Sequence, residues 1–165
     1  MKTALLLGVI SFYSNVYTQE QTIHAILNKG LLNEHYLLSN SPTAPTIRWQ
    51  HHYRLKDKLL SIRFTKIDIL TQCHCTVYRL VALDKIKGIA KDSNIVFLTE
   101  TDAVKDVLNY QQCIADISTP RTETVYSDLF FTEIKTQKNN KEFGLQLQEA
   151  FFQNGFKIEL PYWYD

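Results

Sequence analysis

Apolar residues recur every three or four positions in two segments of the chain, and this spacing is typical of an amphipathic helix. The first segment covers residues 21–32 and ends close to Gly30. Its apolar face consists of Ile23, Ile26, Leu27 and Leu31. The second segment lies near the C-terminus and is followed by Gly155, at the position of a left-handed helix cap. Its apolar face consists of Phe143, Leu147, Ala150 and Phe151. The spacing predicts one short N-terminal helix and one C-terminal helix.

Between these two segments the apolar period falls to two, as in a strand with one buried face. Alternation runs from Ile47 to Leu55 and returns from Leu60 to Phe64, with the polar residues 56–58 as the connecting turn. Two antiparallel strands joined as a hairpin are the natural interpretation. Runs rich in β-branched, aromatic or alternating apolar residues predict further strands at 73–83, 94–99, 104–110, 122–134 and 156–160.

Two intervening segments complete the assignment. Residues 84–89 are predicted to be a short connector, whereas 104–110 fits a helical turn as well as a strand. Together the elements predict the α+β class, in a single domain with a curved antiparallel sheet of about five to seven strands. The C-terminal helix packs on this sheet and the short N-terminal helix flanks it.

The string from Val81 to Ile89, followed by a strand and later by an amphipathic C-terminal helix, resembles the layout of pleckstrin-homology-like and GRAM-like domains. The resemblance spans residues 47–152 and implies a curved sheet closed at one end by a helix. It carries over no phosphoinositide-binding residues, because the first hairpin shows no basic cluster beyond Arg54, Lys56 and Lys58. The resemblance therefore informs the fold alone.

Residues 1–18 follow the three-part plan of a secretory signal. Lys2 supplies a positive charge, residues 4–10 form a short apolar core, and residues 16–18 precede Gln19 as a cleavage region. We expect a signal peptide at 1–18 and one α+β domain at 19–165, in a secreted or periplasmic protein. The segment also resembles the signals of secreted proteins of the Bacteroidetes, in which a glutamine often follows the cut. The alternative is a first buried strand or helix of an intracellular domain.

Composition limits the partners that we expect. The chain has 18 Lys and Arg residues against 17 Asp and Glu residues. Because the net charge is nearly zero, electrostatics do not favour binding to nucleic acid or to an anionic membrane surface. The apolar run at 4–10 is far shorter than the roughly 20 residues of a transmembrane span. With 45% hydrophobic residues, the chain can bury a core of its own. We also expect no cofactor.

The sequence Cys73-His74-Cys75 contains residue types that bind zinc. In a strand, however, Cys73 and Cys75 point to one face and His74 to the other, and no second paired motif follows, so no metal site is expected. In an oxidising compartment Cys113 is the obvious disulfide partner of Cys73 or Cys75. Three reduced and buried cysteines are the alternative.

The chain lacks the GxGxxG, GxSxG, HExxH and phosphate-loop motifs of common enzymes and nucleotide-binding proteins. Its function is therefore interpreted as non-enzymatic binding of a protein or glycan partner. The candidate binding residues are Tyr162, Trp163 and Tyr164, although the same aromatics can fold back over the core. A small hydrolase with a polar site that no motif reveals, and a carrier of an apolar ligand inside the curved sheet, are the alternative functions.

Overall fold

In this computed structural model the described residues are 22–36, 47–49, 52–67, 74–111, 120–135 and 138–164. They form an α+β fold with a helix near each end, which confirms the predicted class. The helices are α1 (22–36) and α2 (Lys141–Gln153). The strands are β1 (Ile47–Trp49), β2 (Arg54–Lys56), β3 (Leu59–Ile67), β4 (His74–Ala82), β5 (Ile86–Lys91), β6 (Ile95–Thr99), β7 (Val104–Tyr110), β8 (Arg121–Ser127) and β9 (Leu129–Phe131).

The strands form two antiparallel sheets. The six-stranded sheet has the order β1-β3-β4-β7-β8, with β2 also paired to β3, and the three-stranded sheet has the order β5-β6-β9. The chain passes from the larger to the smaller sheet twice, at a 3₁₀ turn (Leu83–Lys85) after β4 and at Asp128 between β8 and β9. The segment 122–134, which was predicted as one long strand, is therefore divided between the two sheets. Residues 104–110 form a strand rather than a helical turn.

The first predicted hairpin is present, but its first strand is interrupted. Trp49 pairs with Phe64 and Arg54 pairs with Ser61, so four residues on one side correspond to two on the other. The buried residue Tyr53 lies in this interruption. A regular alternation from 47 to 55 does not describe this strand, because the ladder is shifted in its middle. The turn itself follows the prediction, with positive φ angles at Asp57 and Lys58 as in a tight hairpin.

Residues 84–89 were predicted as a connector, and this assignment is wrong for most of them, since β5 begins at Ile86. β5 pairs with β6 on one side and with the C-terminal segment on the other, where Ile89 N–H donates to the Glu159 carbonyl at 2.8 Å. Gly88 permits this approach, because a Cβ there would lie 3.1 Å from the Glu159 oxygen. Residues 156–160 were predicted to be a closing strand, but they form only an isolated bridge, between Glu159 and Gly88.

The two helices bury the apolar faces that their spacing predicts. Ile23, Leu27 and Leu31 of α1 are buried, as are Leu147, Ala150 and Phe151 of α2. Phe151 packs edge-on against Phe97 of β6 with ring centres 5.6 Å apart, and Phe97 packs in turn against Phe130 of β9 at 5.8 Å. Gly155 ends α2 with a φ of 81°, as expected of a left-handed cap.

The predicted signal segment 1–18 lies outside the described residues, so its role stays a prediction. Of the helices that the structure describes, neither is long and apolar enough to cross a membrane.

Candidate functional site

The C-terminal aromatic residues lie along the free edge of β5. Lys91 of β5 donates its N–H to the Tyr162 carbonyl at 3.3 Å, and its own carbonyl accepts the Tyr164 N–H at 2.9 Å. This bridge holds the segment extended, and in an extended backbone successive side chains point in opposite directions. Trp163 therefore faces the protein, whereas Tyr162 and Tyr164 face away from it.

Trp163 is a structural residue in this arrangement. Its indole ring lies directly over Gly144 of α2, where a Cβ would approach the ring to 2.5 Å. The indole N–H donates to Asn140 Oδ1 at 3.2 Å, and the same oxygen accepts from Lys91 Nζ at 2.9 Å. Lys91 itself is 2% exposed, with its ammonium group 5.9 Å from the centre of the indole. Trp163 thus joins β5, α2 and the C-terminal segment.

Tyr162 and Tyr164 remain exposed, at 39% and 63% respectively. Their rings stack on one another, with centres 5.6 Å apart and planes inclined by 26°. Aromatic side chains on a fixed backbone offer a large contact area for little loss of conformational entropy. The assignment of the three C-terminal aromatics as binding residues stays a prediction. Of the three, only Tyr162 and Tyr164 are exposed enough to contact a partner.

A group of buried charged residues, separate from the aromatic segment, joins the two sheets. Arg79 of β4 is 5% exposed and contacts Asp106 of β7 through two nitrogens, with its closest approach 2.7 Å. Its third nitrogen donates to Glu133 Oε1 at 3.1 Å and to the Phe131 carbonyl at 2.6 Å. Glu133 is 3% exposed. Two further cations approach Glu133 from the surface, Lys66 at 3.6 Å and Lys135 at 3.1 Å.

The surrounding charges keep Glu133 and Arg79 ionised. Burial alone raises the pKa of Glu133, but the positive charges of Lys66, Lys135 and Arg79 outweigh it and lower the pKa below its usual value. Burial acts in the opposite sense on Arg79, whose pKa is nevertheless raised by hydrogen bonds and charge from Asp106 and Glu133. A carboxylate that stays ionised at neutral pH is poorly suited to donate a proton as a general acid.

A cavity of about 440 Å³ opens beside the cluster. Its lining comprises Lys66, Arg79, Ser93, Asn94, Phe131, Glu133 and Lys135. Glu133 adopts a φ of 60°, a left-handed conformation that is uncommon outside glycine and is often found at functional sites. The cavity is therefore a second candidate site, which the sequence did not predict.

One sequence signal for this cluster was available. Arg79 shares its parity with Val77 and Val81 along β4, and all three side chains are buried. A charged residue among the buried positions of a strand implies an oppositely charged partner. The identity of that partner was not readable, because Glu133 is 54 positions away in the chain.

Of the three cysteines, Cys75 is described and carries a free thiol, whose pKa is raised by partial burial. Cys73 and Cys113 lie outside the described residues, so the disulfide stays a prediction. Within the part of the chain that the structure describes, no three His, Cys, Asp or Glu side chains are grouped closely enough to hold a metal ion. His74 lies opposite Ile67 at the start of β4 and is partly buried.

No protein-family model, no curated protein and no solved structure matches this chain.

Proposed function

We propose that this protein is a secreted or periplasmic, non-enzymatic binding module, and that a protein or glycan partner contacts it through Tyr162 and Tyr164. The observation that carries the proposal is the exposed, stacked tyrosine pair on a backbone that hydrogen bonds to β5 on both sides of Trp163. Exposed aromatic residues held in place are the side chains that most often anchor a binding partner. The export part of the proposal rests on the pattern of residues 1–18.

The buried charge cluster is poorly suited to acid catalysis. Glu133 is held ionised by three cations, and Asp106 accepts hydrogen bonds from two nitrogens of Arg79. Glu133 is thereby poorly suited to donate a proton to a leaving group, as a hydrolase with a general acid requires. The carrier alternative has less support, because the space between the sheets and helices is filled by large buried side chains such as Phe64, Phe97 and Phe130.

A capture experiment tests the tyrosine surface. The full chain is immobilised, and proteins from the extracellular medium of the native host, together with a glycan array, are offered to it. The double substitution Tyr162→Ala with Tyr164→Ala should weaken a specific interaction by about 1–2 kcal/mol or more, while thermal stability stays close to that of the wild type. Tyr126→Ala is the matched control, because Tyr126 is 55% exposed on β8, a different element.

Equal retention of the partner by the double variant and the control would contradict the proposed surface. Turnover of a substrate by the purified protein would contradict the non-enzymatic assignment. Export is tested separately by N-terminal sequencing of protein from its native host, which should begin at or close to Gln19. Recovery of the chain with Met1 in a cytoplasmic fraction would oppose export.

A further inference from the structure

The cavity beside Arg79 contains buried acceptors with unused hydrogen-bonding capacity. Among the described residues, Asn94 Oδ1 is buried and accepts no hydrogen bond from the protein. Glu133 Oε2 is also buried and pairs with Lys135 Nζ at 3.1 Å, which leaves one of its two lone pairs free. Buried acceptors are nearly always satisfied by protein or by ordered water. An occupant of the cavity with hydroxyl groups can donate to both oxygens in place of water.

The cavity also has an excess of positive charge. Three cations belong to the cluster, Lys66, Arg79 and Lys135, against two carboxylates, Glu133 and Asp106, which leaves one positive charge unbalanced. Arg79 is fully engaged with its two carboxylates and the Phe131 carbonyl. The side chains of Lys66 and Lys135 are 46% and 42% exposed, so their ammonium groups are accessible to an anion.

An aromatic ring borders the same cavity. Phe131 lines it and is 39% exposed, while the Arg79 guanidinium lies 5.8 Å from the centre of its ring. The volume of about 440 Å³ lies within the range of small-molecule sites. A ligand that fits these features has hydroxyl donors, one negative charge and an apolar face.

We propose that this cavity binds a sugar that carries a carboxylate, as in a uronic acid. Its hydroxyl groups donate to Asn94 Oδ1 and Glu133 Oε2, its carboxylate contacts the ammonium groups of Lys66 and Lys135, and a C–H face of the ring packs on Phe131. An inorganic anion without a hydroxyl group, such as sulfate, accounts for the excess charge alone, since it brings no donor for the two acceptors. The inference rests on the proposed binding function, for which it names a ligand class, but it depends on residues other than Tyr162 and Tyr164.

The test is calorimetric titration of the full chain with a panel of mono- and disaccharides of glucuronic, galacturonic and mannuronic acid. At least one uronate should bind, whereas the matching neutral sugars and acetate should bind at least about tenfold more weakly, since each lacks one half of the recognition. Asn94→Ala and Lys135→Met should each weaken uronate binding by about tenfold or more. Lys85→Met is the matched control for Lys135→Met, because the side chains of Lys85 and Lys135 are similarly exposed, at 46% and 42%, and Lys85 also pairs with a glutamate, Glu100, away from the cavity.

Absence of binding across the whole panel would overturn the inference, as would binding that Asn94→Ala and Lys135→Met leave unchanged. Equal binding of acetate would show that the cavity recognises charge alone and would also overturn it. If uronates fail while a partner is still retained through Tyr162 and Tyr164, the sugar assignment falls and the proposed function stands. If uronates bind but the tyrosine variant retains every partner, the tyrosine surface falls instead.

Discussion

The side-chain amide of Asn28 in α1 pairs with both backbone polar groups of Tyr53. Asn28 Oδ1 accepts the Tyr53 N–H at 2.6 Å, and Asn28 Nδ2 donates to the Tyr53 carbonyl at 3.2 Å. The amide thereby takes the place of a neighbouring strand at the interruption between β1 and β2. The Tyr53 hydroxyl reaches further into the protein and donates to the Thr132 carbonyl at 2.8 Å. A helix side chain thus completes the hydrogen bonding of a shifted ladder.

This pairing predicts a large effect at a polar position. Asn28→Ala leaves the N–H and C=O of Tyr53 without their partner, so the free energy of unfolding should fall by about 1–3 kcal/mol, the cost of unsatisfied buried groups. The matched control is Asn109→Ala. It also removes a side-chain hydrogen bond, the one that the Thr122 hydroxyl donates to Asn109 Oδ1, but at an exposed site. Urea denaturation measures both. An equal decrease in the free energy of unfolding for the two variants would show that the contact with Tyr53 stabilises the fold no more than an exposed hydrogen bond does.

The second prediction concerns two adjacent phenylalanines of α2. Phe151 is fully buried against Phe97, whereas Phe152 is 67% exposed. Phe151→Ala should lower the free energy of unfolding by about 3–5 kcal/mol, and Leu147→Ala by about 2–5 kcal/mol, because each leaves a cavity in the core. Phe152→Ala, measured by the same urea titration, should change it little. A midpoint that none of the three substitutions shifts would mean that α2 does not pack as described.

The third prediction uses the contact between Gly144 and Trp163. In an unconstrained helix interior, Gly→Ala stabilises by about 1 kcal/mol. Here Gly144→Ala should instead destabilise the protein, because the new methyl group would lie 2.5 Å from the indole ring. In a Trp163→Ala background the same change should become stabilising. A double-mutant cycle by thermal denaturation detects this change of sign, and a stabilising effect in both backgrounds would contradict the contact.

The fourth prediction follows from the lowered pKa of Glu133. Since the folded pKa lies below the unfolded one, the ionised carboxylate stabilises the fold in full above the unfolded value of about 4.3, and this contribution is lost as the pH falls through the folded pKa. Glu133→Gln should cost roughly 3 kcal/mol at neutral pH, because the neighbouring cations lose their buried partner. The difference in unfolding free energy between wild type and variant should shrink as the pH falls below 4.3 toward the folded pKa.

Salt provides the control for that measurement. The pKa of Glu100 is also lowered, to about 2, by hydrogen bonds from Lys85 and Lys87, but this carboxylate is exposed. The effect of Glu100→Gln on stability should therefore be small and should disappear in high salt, whereas that of Glu133→Gln should persist. Identical salt dependence in the two variants would contradict the buried character of the Glu133 cluster.

The spacing of apolar residues was enough to predict the helices, each of which buries one face and exposes the other. α1 and α2 were predicted from their apolar faces, and Gly155 from its position after the second, because a helix that packs on a sheet must repeat apolar residues every three or four positions. The hairpin turn at Asp57 and Lys58 was likewise readable from its polar composition. Each of these features depends on residues close together in the chain.

Tertiary structure decided the features that depend on distant residues. β5 was interpreted as a connector because its strand character comes from pairing with β6 and with Glu159, which local composition does not reveal. The charge cluster likewise exists only because the second sheet brings Glu133 beside Arg79. The sequence shows that Tyr162, Trp163 and Tyr164 are adjacent aromatic residues, but it does not show which of them face outward. Successive side chains of an extended segment point in opposite directions, and only the pairing with β5 determines which side faces the protein.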